Sequence, residues 1–436
     1  MISKKAAISG VAAAVLAVAA ASPVHAASSA TVKLVPVSYT PWLLRSTPSQ
    51  NVDHLVQCGS MMYAVGKITA VGQGSKTYTR GNAFSFSATT GAVRSWDPQV
   101  NGEVHSIALS PDCSTAYLGG AFTTVRGSTV KNIAAVDTTT GAVKTGWKHT
   151  AGAAVYTVQY THGLVLIGGK FKTVNGASRT SLASLNPTTG AVTAYANLPI
   201  SGTYPKTTTS NVFDSQLSHS GSKMLIEGVF TSIAGQARRQ VAVLDLGVSS
   251  ITLNGWNAPE FNVSCIDSES FYARAAAWSP ADDAIYAATT GYKPLSGPGS
   301  DTSGPRAGPC DAAFKFPATA GAVSHTWVNY TGCDSYYSVV ADTNDVYVAG
   351  HERWANNPNG CDFAGPGAVS RPGIASLNAT TGLANPWNPT RSLGHGADDL
   401  VLTTAGLWVA SDNFSDGNAQ RCGGLAKHGG ICFFPY

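Results

Sequence analysis

The sequence predicts an all-β fold assembled from a repeated four-stranded unit, and three observations carry that expectation. Only 12% of the 436 residues are Asp, Glu, Lys or Arg, about half the usual share of a soluble domain. Gly and Pro are abundant, at 46 and 22 residues, which favours turns over long helices. One phrase, an apolar strand running into a Gly-ended turn and then an aromatic residue, recurs about every 50 residues.

The chain opens on a segment that reads as an export signal over residues 1–26. Lys4 and Lys5 form a basic start, Ala6 to Ala21 an apolar run, and Val24-His25-Ala26 a small-x-small cleavage site. The competing reading is a membrane anchor, but the run falls short of the ~20 apolar residues a spanning helix needs. The formal net charge is +4, two of it from Lys4 and Lys5. What remains gives no basic footprint for nucleic acid or anionic lipid.

Residues 27–436 then read as one domain of repeats. The clearest copies run from Phe84 through Gly91 to Trp96, from Ala134 through Gly141 to Trp147, and from Ala183 through Gly190 to Tyr195. Looser copies end at Trp256, Trp327 and Trp387. Each is a hairpin: a strand, a turn closed by a Gly that tolerates positive φ, and a second strand carrying an aromatic that packs between sheets. Two more strands precede each hairpin, as in Val104 to Ser110 with Thr115 to Gly120, and Val155 to Thr161 with Leu164 to Gly169.

Four-stranded units at this spacing predict a β-propeller. Six complete units are visible. The tail adds three strands, Ala397 to Thr403, Gly406 to Ser411 and Gly430 to Phe434, while Thr31 to Trp42 at the start has the character of the missing fourth. The expected architecture is therefore a seven-bladed β-propeller of four-stranded antiparallel blades, closed by the N-terminal strand, with six and eight as alternative counts.

Eight Cys in an exported chain predict four disulfides. Placing each Cys on the blade map pairs Cys265 with Cys310, Cys333 with Cys361, Cys422 with Cys432, and Cys58 with Cys113. Metal binding by these cysteines is disfavoured because no CxxC or His/Cys cluster at zinc spacing occurs.

Aligning the first strand of every blade puts Asp53, His105, Tyr156, Phe213, Arg274, Tyr337 and Asp398 at one equivalent position. His54, Ser106, Thr157, Asp214, Ala275, Ser338 and Asp399 occupy the next. Propeller ligands bind where these strands line the channel mouth, so Asp53, His105, Tyr156, Asp214, Arg274, Tyr337 and Asp398 are the candidate ligand-binding set. They suit a polar neutral or anionic ligand such as a sugar; solvated channel lining is the competing reading. Asp398 and Asp399 adjoin, but neighbours on a regular strand point to opposite sides, which argues against an acid/base pair. No nucleophile elbow, Walker loop, EF-hand loop or His-Glu-x-x-His motif is present, so no catalytic residue, metal site or cofactor is assigned. Insertions at 292–309 and 353–372, the latter with Trp354, are expected to shape a rim.

At Gly119-Gly-Ala-Phe-Thr-Thr-Val-Arg-Gly127, Gly168-Gly-Lys-Phe-Lys-Thr-Val-Asn-Gly176 and Glu227-Gly-Val-Phe-Thr-Ser-Ile-Ala-Gly235 the chain resembles the delta-60 repeat β-propellers of exported bacterial proteins. The resemblance implies the fold strongly and activity hardly at all. The Thr-Thr-Gly-to-Trp phrase is also similar to the tryptophan-docking repeat of pyrroloquinoline quinone dehydrogenases, though the adjacent Cys pair common in those enzymes is missing.

The expected function is that of a secreted binding or scaffold protein recognising an extracellular glycan or a cell-envelope protein. The alternatives are an extracellular enzyme acting on polysaccharide or peptide at the channel mouth, and, behind it, a quinone-dependent dehydrogenase.

Overall fold

A computed structural model describes residues 31–44, 49–204, 207–262, 273–291, 309–391, 396–413, 421–423, 425–426 and 429–436. The expected signal segment, Cys265, His395 and nearly all of the 292–309 insertion lie outside the described residues.

The alternating apolar runs form strands, and among the described residues seven of the sheets share one pattern, a first, second and third strand paired antiparallel in chain order with a fourth strand added in two of them. Their first strands are Asn51–Cys58, Glu103–Leu109, Val155–Thr161, Asn211–Leu217, Ala273–Trp278, Tyr336–Ala341 and Ala397–Thr403. Each first strand packs against the first strand of the next sheet, and Ala397–Thr403 packs against Asn51–Cys58. The single helical piece among the described residues is one 3-10 turn, Pro259–Asn262.

Both faces of the second strands are buried, as the unbroken apolar stretches Leu164–Gly169 and Gly406–Ser411 require. The core is accordingly divided into apolar clusters lying between neighbouring sheets. Tyr63, Trp96, Ile107 and Leu118 fill the gap between the first and second. Leu55, Phe84, Phe86, Trp408 and Phe433 fill that between the seventh and first. Each such side chain, fully buried, contributes roughly 1.5–3 kcal/mol.

The fourth strand of the expected unit is shorter than the sequence suggested. It forms a ladder only in the fourth and fifth sheets, at Ile251–Leu253 and Trp327–Tyr330. In four others it shrinks to a single bridge, Phe86 to Val93, Val136 to Val143, Leu185 to Val192 and Leu377 to Ala384. The chain then turns away so that its aromatic can dock on the next sheet. The indole N–H donates to a carbonyl there: Trp96 to Asp137 at 3.0 Å, Trp256 to Pro317 at 3.0 Å, Trp327 to Ala379 at 3.2 Å. Tyr195 does the same through its hydroxyl, to Gly247 at 2.9 Å. The turn glycine is needed on both counts. Gly382 has φ +73, and a Cβ there would lie 2.5 Å from the Trp327 ring.

The N-terminal segment runs beside the last strand, Ile431–Pro435. Lys33 N–H donates to Pro435 at 2.7 Å and Val37 N–H to Phe433 at 3.0 Å. It joins the docking series at both ends: Trp387 donates to the Lys33 carbonyl at 3.2 Å, and the Tyr39 hydroxyl to Ala88 at 3.2 Å. The docking aromatic of this segment is thus Tyr39. Trp42, at the end of the Thr31 to Trp42 stretch, instead heads the short strand Trp42–Leu43, paired to Ala70–Gln73 beside a peripheral hairpin.

The Gly-Gly-x-Phe phrases of the second and third sheets, and Glu227-Gly-Val-Phe230 of the fourth, close the second strand, bury their Phe (Phe122, Phe171, Phe230) and then form a small outer hairpin. Its turn residues, Arg126-Gly127, Asn175-Gly176 and Ala234-Gly235, all have positive φ, the conformation of a type I′ turn. Cys58 is bonded to Cys113, Cys333 to Cys361 and Cys422 to Cys432, as the blade map pairs them. Cys310 is disulfide-bonded, and its expected partner Cys265 falls outside the described residues.

Candidate functional site

The site begins with a defect repeated in every sheet. Pairing between the first and second strands slips by one residue at the same place seven times, skipping Asp53, His105, Tyr156, Phe213, Arg274, Tyr337 and Asp398. A β-bulge leaves the extra residue unpaired and re-aims its side chain. The residue before each bulge faces Gly66, Gly120, Gly169, Gly228 and Gly350 in five sheets, and Thr289 or Ser411 in the other two. At these five places the glycine lets the two backbones approach closely: a Cβ on Gly120 would sit 2.2 Å from the Glu103 carbonyl oxygen, and one on Gly228 2.1 Å from that of Asn211.

The seven bulged side chains form a continuous ring. His105 Nδ1 lies 3.1 Å from Asp53 Oδ2. The His105 and Tyr156 rings are 5.2 Å apart, and Tyr156 and Phe213 5.7 Å. The Arg274 guanidinium lies 5.6 Å from the Phe213 ring and 5.3 Å from that of Tyr337, within cation–π range. Asp398 lies close enough to act electrostatically on Tyr337 and to be acted on by Asp53. All seven line one cavity of about 440 Å³, within the size range of small-ligand sites. Arg274, Tyr337, His105 and Asp398 therefore converge.

The cavity has two chemically distinct halves. Tyr156, Phe213, Arg274 and Tyr337 present ring faces and a guanidinium; Asp398, Asp399, Asp53, Glu103, His105 and His54 present carboxylates and imidazoles. Asp398 and Asp399 both line it, against the expectation that adjacent strand residues diverge. The bulge between Ala397 and Asp399 breaks the alternation.

The next ring, one residue on, joins sheet to sheet. The Ile107 N–H donates to His54 Nδ1 at 3.2 Å, Val158 N–H to Ser106 Oγ at 3.1 Å, and Leu55 N–H to Asp399 Oδ2 at 2.9 Å. Thr157 Oγ1 meets Ser215 Oγ at 2.6 Å, and Ser338 Oγ donates to the Ala397 carbonyl at 3.0 Å. Ser106, His54 and Asp399 superficially form a Ser-His-Asp series, at 3.4 and 4.0 Å. Yet Ser106 is only 5% exposed and its oxygen is engaged by Val158. Thr157 and Ser338 make comparable links with no histidine, so the arrangement is a latch rather than a nucleophile. Asp214 alone of the polar residues in this ring bonds only locally, to Ser215 N–H at 2.7 Å.

Burial pushes the Asp53 carboxyl up to about 6, with the His105 hydrogen bond pulling it back. It pushes Asp214 up to about 7, and the Asp399 charge adds to the effect. Asp398 is raised well above the ordinary carboxylate range by its enclosure, then by Asp53. Its side chain has open surface because it faces the cavity, while protein surrounds the cavity itself; the enclosure governs its charge. Asp399 is raised by burial and moderated by His54. Behind Asp214 lies Glu227, fully buried, with neither carboxyl oxygen hydrogen-bonded and its proton held tightly by burial.

Sequence reasoning did not select Glu103, which lines the cavity. The available signal was its place two residues before His105, since such residues share a strand face.

No family model matches the chain, and no curated protein matches it. Among solved structures it is similar to the WD40 repeats of RRP9, with a TM-score of 0.51 and 10% identity over 93% of this chain and 99% of that one. It is similar also to hydrazine synthase of Kuenenia stuttgartiensis, with a TM-score of 0.51 and 11% identity over 86% of this chain and 94% of that one. At such identities the likeness concerns fold alone, and the fold is that of a β-propeller.

Proposed function

We propose that the chain is a secreted, seven-bladed binding propeller, closed by its N-terminal segment, whose channel mouth recognises a saccharide of the cell envelope or its surroundings. The observation that carries this reading is the convergence of seven bulged side chains on one cavity with an aromatic half and a carboxylate half. Aromatic faces stack on the apolar faces of a sugar ring, and carboxylates accept hydrogen bonds from its hydroxyls. Export is supported by the leader-like start and by the disulfides. The Gly-Gly-x-Phe hairpins support membership of the delta-60 repeat group.

Calorimetric titration with cell-wall oligosaccharides tests the proposal. One class should bind saturably, and Tyr337→Ala should weaken it about tenfold, or about 1.4 kcal/mol. Blank titrations across cell-wall glycans would remove the reading.

Carboxyls raised to about 6 and about 7 in one cavity favour a second reading, glycoside hydrolysis by acid/base carboxyls. It requires turnover of a bound oligosaccharide that the Asp214→Asn variant loses while still binding it.

A further inference from the structure

The carboxylate half of the cavity also holds a set of metal-ligating donors. Asp53 and His105 occupy bulge positions in the first and second sheets, and Glu103 stands two residues before His105. One ligand atom from each, two carboxylate oxygens and an imidazole nitrogen, lies within 4.8 Å of the other two. Donors on opposite sides of one divalent transition ion stand about 4.4 Å apart, so rotation of the flexible Glu103 side chain brings the three into range.

A second observation points the same way. Among the described residues no hydrogen bond or ion pair holds the Asp398 and Glu103 carboxylates, and Asp398, whose side chain opens on the cavity, interacts electrostatically with Asp53. Carboxylates gathered in an enclosed space repel one another unless a cation or protons intervene.

We propose that Asp53, Glu103 and His105 bind one divalent transition-metal ion, with Asp398 facing it across the channel. The ion takes the place of the proton that now joins Asp53 Oδ2 and His105 Nδ1, and that proton is released or moves to Nε2. Mixed oxygen and imidazole donors suit Zn²⁺ or Mn²⁺ better than Ca²⁺, which prefers oxygen alone. The site lies beyond the saccharide reading and does not depend on it, because the metal is measured alone.

The test is equilibrium titration of the chelator-stripped, purified mature protein without saccharide. Zn²⁺ is followed by competition with a chromophoric chelator, and Mn²⁺ by the spin-resonance signal of the free ion. One ion per chain should bind at micromolar affinity or tighter, and Glu103→Gln, which keeps the side-chain shape, should weaken it at least about tenfold. His162→Ala, at an exposed histidine that does not line the cavity, should bind metal as the unaltered protein does. Melting temperatures in chelator check that each variant is folded. The proposal is overturned if neither ion binds saturably at millimolar concentration, or if folded Glu103→Gln and His105→Ala variants both retain full affinity.

Discussion

Two rings of side chains line the same channel one residue apart, and they do different work. The bulged ring, Asp53 through Asp398, makes ring and charge contacts side chain to side chain around an open cavity. The following ring holds backbone: His54, Ser106 and Asp399 each accept an N–H from the adjacent sheet. An enclosed N–H needs a partner whether or not a ligand is bound. A side chain facing an open cavity has no backbone group to hold and is free to be specialised for recognition. The difference teaches where function can vary on this scaffold without unfastening the sheets.

The sharpest way to break the comparison is to remove the bulge that creates both rings. Gly120→Ala places a Cβ 2.2 Å from the Glu103 carbonyl oxygen, so the first strand of the second sheet must shift. The expected loss is about 3 kcal/mol or more in chemical denaturation, together with displacement of His105 from the cavity. A variant as stable as the parent would show that the bulge does not depend on the glycine.

A smaller effect separates the rings. Ser106→Ala removes the acceptor of the Val158 N–H in a buried setting and should cost about 1–3 kcal/mol, while saccharide affinity stays unchanged. If affinity fell in step with stability, the division of labour would be wrong.

The most delicate case is Asp214, which sits in the backbone-holding ring but holds no neighbouring sheet. The groups facing it are Glu227 and Asp399. Its carboxyl is raised from 3.8 to about 7, so the folded chain binds this proton more tightly than the unfolded chain. That contribution is fully present below about pH 4 and is lost as pH rises through about 7. Asp214→Asn should therefore match the parent near pH 4 and exceed it in melting temperature at pH 8. A parallel pH profile for the two proteins would mean that Asp214 is not held neutral by the fold.

Much of this was legible in the chain. The recurrent Thr-Thr-Gly marked the turns because positive φ and close approach to a docked aromatic both demand glycine, as at Gly382. Cysteines placed on the blade map paired as observed at Cys58, Cys333 and Cys422. The candidate ring was legible too, since equivalent strands place equivalent residues. Less legible was the one-bridge fourth strand, because an alternating run does not reveal where a docking aromatic will pull the chain out of the ladder. Nor was Tyr39 distinguishable from Trp42 as the docking residue of the N-terminal segment: both are aromatic, and only the position of Ala88 selects between them.

The sequence by itself determined the repeated unit, its turns and the residues that meet at the channel, because each depends on local periodicity and on the steric needs of single residues. Only the tertiary structure decided that Asp398 and Asp399 share a cavity and that Asp53, Glu103 and His105 come together. The first depends on a one-residue slip between paired strands. The second depends on the packing of one sheet against the next, and strand periodicity carries no information about which side chains of two separate sheets will come within a few ångströms.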